Sequence, residues 1–129
     1  MKLESLDFIY MPSADPARDL DWLSRTLDAE VVFAIERFGT RVAMVRPAAG
    51  PAILLAGHLA GEQPILVFRV ESLDAATAEL ATAGAAISDE FEIPPGRIRT
   101  IDAPGGQRLA IYEETRPDRI AGIAGRRDW

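Results

Sequence analysis

The sequence has no cysteine among its 129 residues. That absence excludes a disulfide scaffold, a thiolate nucleophile and any zinc site built on sulfur. It fits a reducing compartment, and a cytoplasmic location is the expectation. No apolar run approaches the ~20 residues that a membrane span requires. No apolar leader segment is evident after Met1-Lys2-Leu3-Glu4. Basic charge is scarce as well: 14 Lys and Arg stand against 20 Asp and Glu, a net charge of −6. The sequence pI is about 4.8. Nucleic-acid binding needs a basic footprint, which is missing here. Phosphate-cradling glycine patterns are absent too. The composition therefore predicts a soluble chain of one-domain length, with neither nucleic acid nor membrane as its partner.

What is present is a pattern that occurs twice. Leu6 to Met11 reads as a strand ending at Pro12-Ser13-Ala14-Asp15. Asp15-Pro16 reads as an N-cap with proline at N1, and Leu20, Leu23 and Leu27 give an amphipathic helix over residues 16–27. Three strands follow, at Val31–Glu36, Arg41–Arg46 and Ala52–Ala56, separated by Phe38-Gly39-Thr40 and by Pro47 to Gly50. Ile65 to Val70 then restarts the series. Ser72 caps a helix over residues 73–83 that stops at Gly84. Ala86–Ser88 and Phe91–Ile93 are extended. Arg97–Ile101 and Arg108–Glu113 are strands on either side of Ala103-Pro104-Gly105-Gly106. Phe8 and Ile65, in the two opening strands, lie 57 residues apart, and Leu54 and Ala110, in the two closing strands, 56 apart. A repeat of this length fixes the architecture: β-α-β-β-β twice, an α+β chain. The modules run over about residues 4–57 and 64–114, as one domain over 1–114. The tail, 115–129, is either a short docked helix or disordered.

Two such modules in about 115 residues resemble the vicinal oxygen chelate superfamily, which includes glyoxalase I, bleomycin-resistance proteins and extradiol dioxygenases. The stretch Val67-Phe68-Arg69-Val70-Glu71-Ser72-Leu73-Asp74 is similar to the family's strand-to-helix entry. Asp102-Ala103-Pro104-Gly105-Gly106-Gln107-Arg108-Leu109 is similar to its closing turn and strand. The resemblance implies a cupped, half-open mixed sheet with the ligand inside, and a homodimer. Metal-using members place His or Glu in the first and fourth strand of each module. Here those positions fall on Phe8, Leu54, Ile65 and Ala110, none of which can bind a divalent cation. The resemblance therefore points to the metal-free branch, with no cofactor, where bleomycin-resistance proteins sequester a small molecule.

Strand alternation sorts one sheet face from the other. With Phe8 facing the cup, Tyr10 faces it as well. With Ile65 facing it, so do Val67 and Arg69. The closing strand contributes Arg108, Ala110 and Tyr112, and Leu54 joins them, with Phe33, Met44 and Arg41 as further wall residues. An apolar cavity with Tyr10, Tyr112, Arg108 and Arg41 as polar points suits a hydrophobic or aromatic small-molecule ligand. Tight core packing of the same residues is the competing expectation. His58, the one histidine, is a candidate general base by its ordinary pKa, but its loop position favours a surface role. Glu30, Glu36, Asp89, Glu90 and Glu92 are the acidic candidates, and Arg97, in Pro94-Pro95-Gly96-Arg97, either gates or holds an anionic group or belongs to an ordinary turn. Three functions stay open: a metal-independent binding protein, an enzyme (lyase, isomerase or dioxygenase-like) with a non-standard or absent metal site, or a partner or subunit protein whose cup is filled.

Overall fold

The computed structural model describes residues 1–129. The first module comprises β1 (Ser5–Pro12), α1 (Pro16–Thr26), β2 (Glu30–Arg37), β3 (Thr40–Arg46) and β4 (Ala52–Ala56). The second comprises β5 (Ile65–Arg69), α2 (Leu73–Thr82), β6 (Ala86–Ile87), β7 (Phe91–Ile93), β8 (Gly96–Asp102) and β9 (Arg108–Glu114), and α3 (Arg119–Ile123) follows. The chain is α+β, and the doubled β-α-β-β-β order is present. Two compact units form. One holds Phe8–Pro64 with Ile123–Trp129, and the other Met1–Asp7 with Ile65–Gly122. No helix is long and apolar enough to cross a membrane.

In the first unit the strands run β2-β3-β4-β1, with β2–β3 and β3–β4 antiparallel and β1–β4 parallel. The Asp15 side chain accepts from the Arg18 amide at 3.2 Å and opens α1, with Pro16 in its first turn. Leu20 of α1 is buried with Ala34, Ala43, Val45 and Leu55, and Met11, Ile53 and Trp129 pack on the same cluster. Small residues at 34 and 43 let the helix lie close to the sheet. A register shift between Val31 and Phe33 turns Phe33 to the opposite face, level with Met44.

The β2–β3 hairpin turns on Phe38 and Gly39, both at positive φ (53° and 74°). Turns of this kind favour Asn-Gly, because a bulky side chain is strained in the left-handed region. Phe38 is also 98% exposed. Phe38→Asn therefore raises unfolding stability by about 1 kcal/mol in a urea titration.

In the second unit β5 pairs parallel with β9, and β9 pairs antiparallel with β8. β6 and β7 both pair with β8, so the second strand of this module is one strand interrupted at 88–90. At the interruption the Ser88 hydroxyl accepts from the Thr100 amide at 2.8 Å, and Arg99 donates to the Ser88 carbonyl at 3.0 Å. The Ser72 hydroxyl accepts from the Ala75 amide at 3.1 Å and opens α2. Val70, Leu73 and Ala76 bury against Ile111, with Leu80 and Ile101 beside them. Gly84 follows the helix at φ 78°, the left-handed position expected of it.

The tail is ordered into α3 and an extended strap. Arg116 ties it to the second unit, donating to the carbonyls of Pro94 at 3.0 Å and Ile93 at 2.6 Å.

Candidate functional site

Register places the predicted site residues on defined faces of each unit. In the first, Tyr10 pairs with Leu54 and Leu54 with Met44, while Met44 pairs with Phe33. Phe8 lies two residues before Tyr10. These five share the face turned away from α1, because Ile53, Leu55, Ala43 and Val45 between them pack on the helix side. Phe8, Phe33, Met44 and Leu54 are all buried.

Arg41 is not brought together with them. It alternates with Ala43 and Val45, so it lies on the helix side, where its guanidinium sits 5.4 Å from the centroid of the Trp129 ring. The physical cause is the period of two, and the Trp129 ring then supplies an aromatic surface that attracts the cation.

In the second unit Ile65 pairs with Arg108, Val67 with Ala110, and Arg69 with Tyr112. Thr100 and Ile98 of β8 stand opposite Ala110 and Tyr112. This face, away from α2, has Val67, Ala110 and Ile98 as an apolar floor. Arg108 stands at one end of the floor. Four residues on, roughly 13 Å along the strand, stands Tyr112, fully buried.

Tyr112 anchors a polar cluster. Its hydroxyl donates to Asp7 Oδ2 in a short hydrogen bond. The Ser5 hydroxyl donates to Asp7 Oδ1 at 2.6 Å. Arg69 Nε lies 3.6 Å from Asp7 Oδ2, and its Nη1 donates to Glu114 Oε1 at 3.4 Å. One guanidinium thus bridges two carboxylates. Of this cluster only Arg69 and Tyr112 were predicted on the face. Asp7 belongs to this unit, while β1 from Phe8 onward belongs to the other. The Glu4 amide, donating to the Arg69 carbonyl at 2.8 Å, already belongs to the second unit.

Burial, and then the Asp7 carboxylate, hold the Tyr112 phenol well above its ordinary pKa. Burial alone does the same for Tyr10. These are the chain's two tyrosines. Unfolded, both ionise near pH 10. The folded values lie higher, so the native state retains protons that the unfolded chain gives up. The resulting stabilisation is complete below pH 10 and is lost as pH rises from there toward the folded values. An alkaline titration followed at 295 nm accordingly shows tyrosinate only in step with loss of circular dichroism. A non-cooperative tyrosinate signal in folded protein would contradict this.

The other candidates have structural neighbours. Arg97 donates to Glu90 at 3.1 Å and Glu113 at 3.4 Å, with Asp74 at 3.5 Å. Glu113 also accepts from the Leu73 amide at 2.9 Å, at the start of α2. Glu92 pairs with Arg116 at 2.5 Å. The Glu36 amide is capped by Asp128 at 2.9 Å. Glu30, Asp89 and His58 are exposed.

The vicinal oxygen chelate fold raises the question of a divalent metal. Phe8, Leu54, Ile65 and Ala110 offer no lone pair to one. No group of three or more His, Cys, Asp or Glu converges anywhere in the chain. The donor set does not fit such an ion.

No family model matches the chain, and no curated protein is significantly similar to it. Solved structures do match. Methylmalonyl-CoA epimerase from Mycobacterium tuberculosis aligns at TM-score 0.72 and 21% identity, over 88% of this chain and 89% of that one. A Streptomyces coelicolor methylmalonyl-CoA epimerase variant, in complex with 2-nitronate-propionyl-CoA, aligns at TM-score 0.71 and 18% identity, over 88% and 96%. A hypothetical protein from Bacillus halodurans aligns at TM-score 0.74 and 13% identity, over 85% and 94%. The likeness is one of fold: the chain has the vicinal oxygen chelate fold.

Proposed function

We propose that this protein binds a small organic molecule on the helix-free sheet faces and needs no divalent metal to do so. One observation carries the reading. At the four positions where metal-using members of this fold hold His or Glu, the chain has Phe8, Leu54, Ile65 and Ala110, on faces that are otherwise apolar. Buried apolar residues of that kind would line a site for an apolar or aromatic body, with few polar groups to orient it. Arg108 supplies the orienting charge on the Val67–Ala110 floor and favours an organic anion. The Streptomyces coelicolor epimerase variant, with its bound acyl-CoA analogue, supports that class of ligand for the fold.

A metal-free enzyme is the second reading, and the tyrosines weigh against it. Tyr10 and Tyr112 remain protonated at neutral pH and cannot serve as bases there. His58 lies exposed in the segment between the two modules.

Binding of a fluorescent arylsulfonate, with and without EDTA, tests the proposal. The expected result is saturable binding that EDTA leaves unchanged and Arg108→Ala weakens about tenfold, the equivalent of 1.4 kcal/mol. Binding abolished by EDTA, or untouched by Arg108→Ala, would overturn it.

A further inference from the structure

The tail beyond Gly122 does something that neither module requires. β2 is the edge strand of its sheet, and edge strands present unpaired backbone groups. Residues 125–129 take those groups in order. The Gly125 amide donates to Val32 O at 2.7 Å, and the Ala34 amide donates to Arg126 O at 2.9 Å. The Asp128 amide donates to Ala34 O at 2.7 Å. Ala34 and Arg127 form a parallel bridge. Two side chains complete the contact. Asp128 Oδ2 accepts from the Glu36 amide, and the Trp129 indole donates to Ile35 O at 3.0 Å.

The attachment is confined to these five residues. α3, immediately before them, buries no side chain. Gly122 and Gly125 flank the junction, Gly125 at φ 86°. Arg126 donates to both Asp128 oxygens at 2.9 Å, pre-forming the strap's own geometry. Arg126 and the Glu36 amide together hold the Asp128 carboxyl below the usual carboxylate range. Gly125, Arg126 and Asp128 thus make main-chain bonds, and two side chains read fixed positions. This is how an extended peptide is recognised by a sheet edge.

We infer that the β2 edge is a docking site for an extended peptide of the form Gly-Arg-Arg-Asp-Trp, and that the chain occupies it with its own residues 125–129 as a detachable, tethered ligand. Specificity lies in the carboxylate that meets the Glu36 amide and in the indole that meets Ile35 O and the Leu20–Ala34–Ala43 cluster. A short tether gives an effective concentration of roughly millimolar, so the unsubstituted chain excludes micromolar competitors.

The probe is a labelled synthetic heptapeptide with the sequence of residues 123–129, followed by fluorescence anisotropy. The full-length chain carrying Asp128→Ala and Trp129→Ala is expected to bind it at least about tenfold more tightly than the unsubstituted chain. A peptide with its own tryptophan replaced by alanine should not bind. Equal or absent binding by the folded double variant overturns the proposal. If the double variant does not fold, hydrogen exchange on the unsubstituted chain decides. A detachable strap predicts that the amides of Ala34, Glu36 and Asp128 exchange together, at least about a hundredfold faster than those of β3 that pair with β4. Equal protection would make the strap part of the core and overturn the idea.

Discussion

Asp7→Ala lowers unfolding stability by about 3 kcal/mol in a chemical denaturation series. Asp7 accepts from the Ser5 hydroxyl and from the Tyr112 hydroxyl, and Arg69 lies against its Oδ2. Tyr112 is wholly shielded from solvent, so its phenol cannot exchange the lost acceptor for water without local opening. Hydrogen bonds to a charged acceptor contribute about 1.5–3 kcal/mol each, and a buried donor deprived of one costs a further 1–3. The carboxylate is 21% exposed, so the ion pair with Arg69 adds little through solvent screening. Tyr112→Phe removes the donor and keeps the ring, and its expected cost is smaller, about 1–2 kcal/mol. A loss below about 0.5 kcal/mol for Asp7→Ala would show that the cluster is not a fastening point.

Gly96→Ala is expected to cost about 3 kcal/mol or more, or to prevent accumulation of folded protein. A Cβ built there collides with the Glu113 carbonyl oxygen and meets the Thr115 amide nitrogen at 3.0 Å. Both are backbone atoms of the partner strand or its continuation, so no side-chain rotation relieves the clash. β8 and β9 would have to part where Gly96 pairs with Glu114. The same segment holds Arg116, whose guanidinium reaches the Ile93 and Pro94 carbonyls. The loss is therefore expected to spread to the β7–β8 turn. Wild-type-like stability for Gly96→Ala, measured by thermal unfolding, would mean that the two strands do not approach as described.

Much of the architecture was legible because each signal in the sequence was local. Asp15-Pro16 and Ser72 are helix starts whose chemistry acts within three residues, and both cap as expected. Phe38-Gly39 and Gly84 mark turns for the same reason. Strand alternation groups Tyr10 with Leu54 and Arg69 with Tyr112, and the register pairs them in the same way, because a period of two leaves little room for error where register is regular. Arg41 alternates with Ala43 and Val45 and not with Met44, so the period of two itself puts it on the helix side, beside Trp129. The bond from Tyr112 to Asp7 spans 105 positions, which no window of neighbouring residues records. The strap was equally hidden. Its residues carry no strand-like periodicity, and their order comes from β2's unpaired edge.

The proposed function places an organic ligand on apolar faces, with Phe8, Leu54, Ile65 and Ala110 where metal-using members of the fold hold His or Glu. Native mass spectrometry of the freshly purified protein, sprayed with and without added Co²⁺, Ni²⁺, Mn²⁺ or Zn²⁺, tests it most directly. The account predicts an organic adduct retained on the protein, and no stoichiometric metal in any of the spectra. A stoichiometric divalent metal, held at one equivalent per chain after buffer exchange, would contradict it and put metal-dependent catalysis in its place.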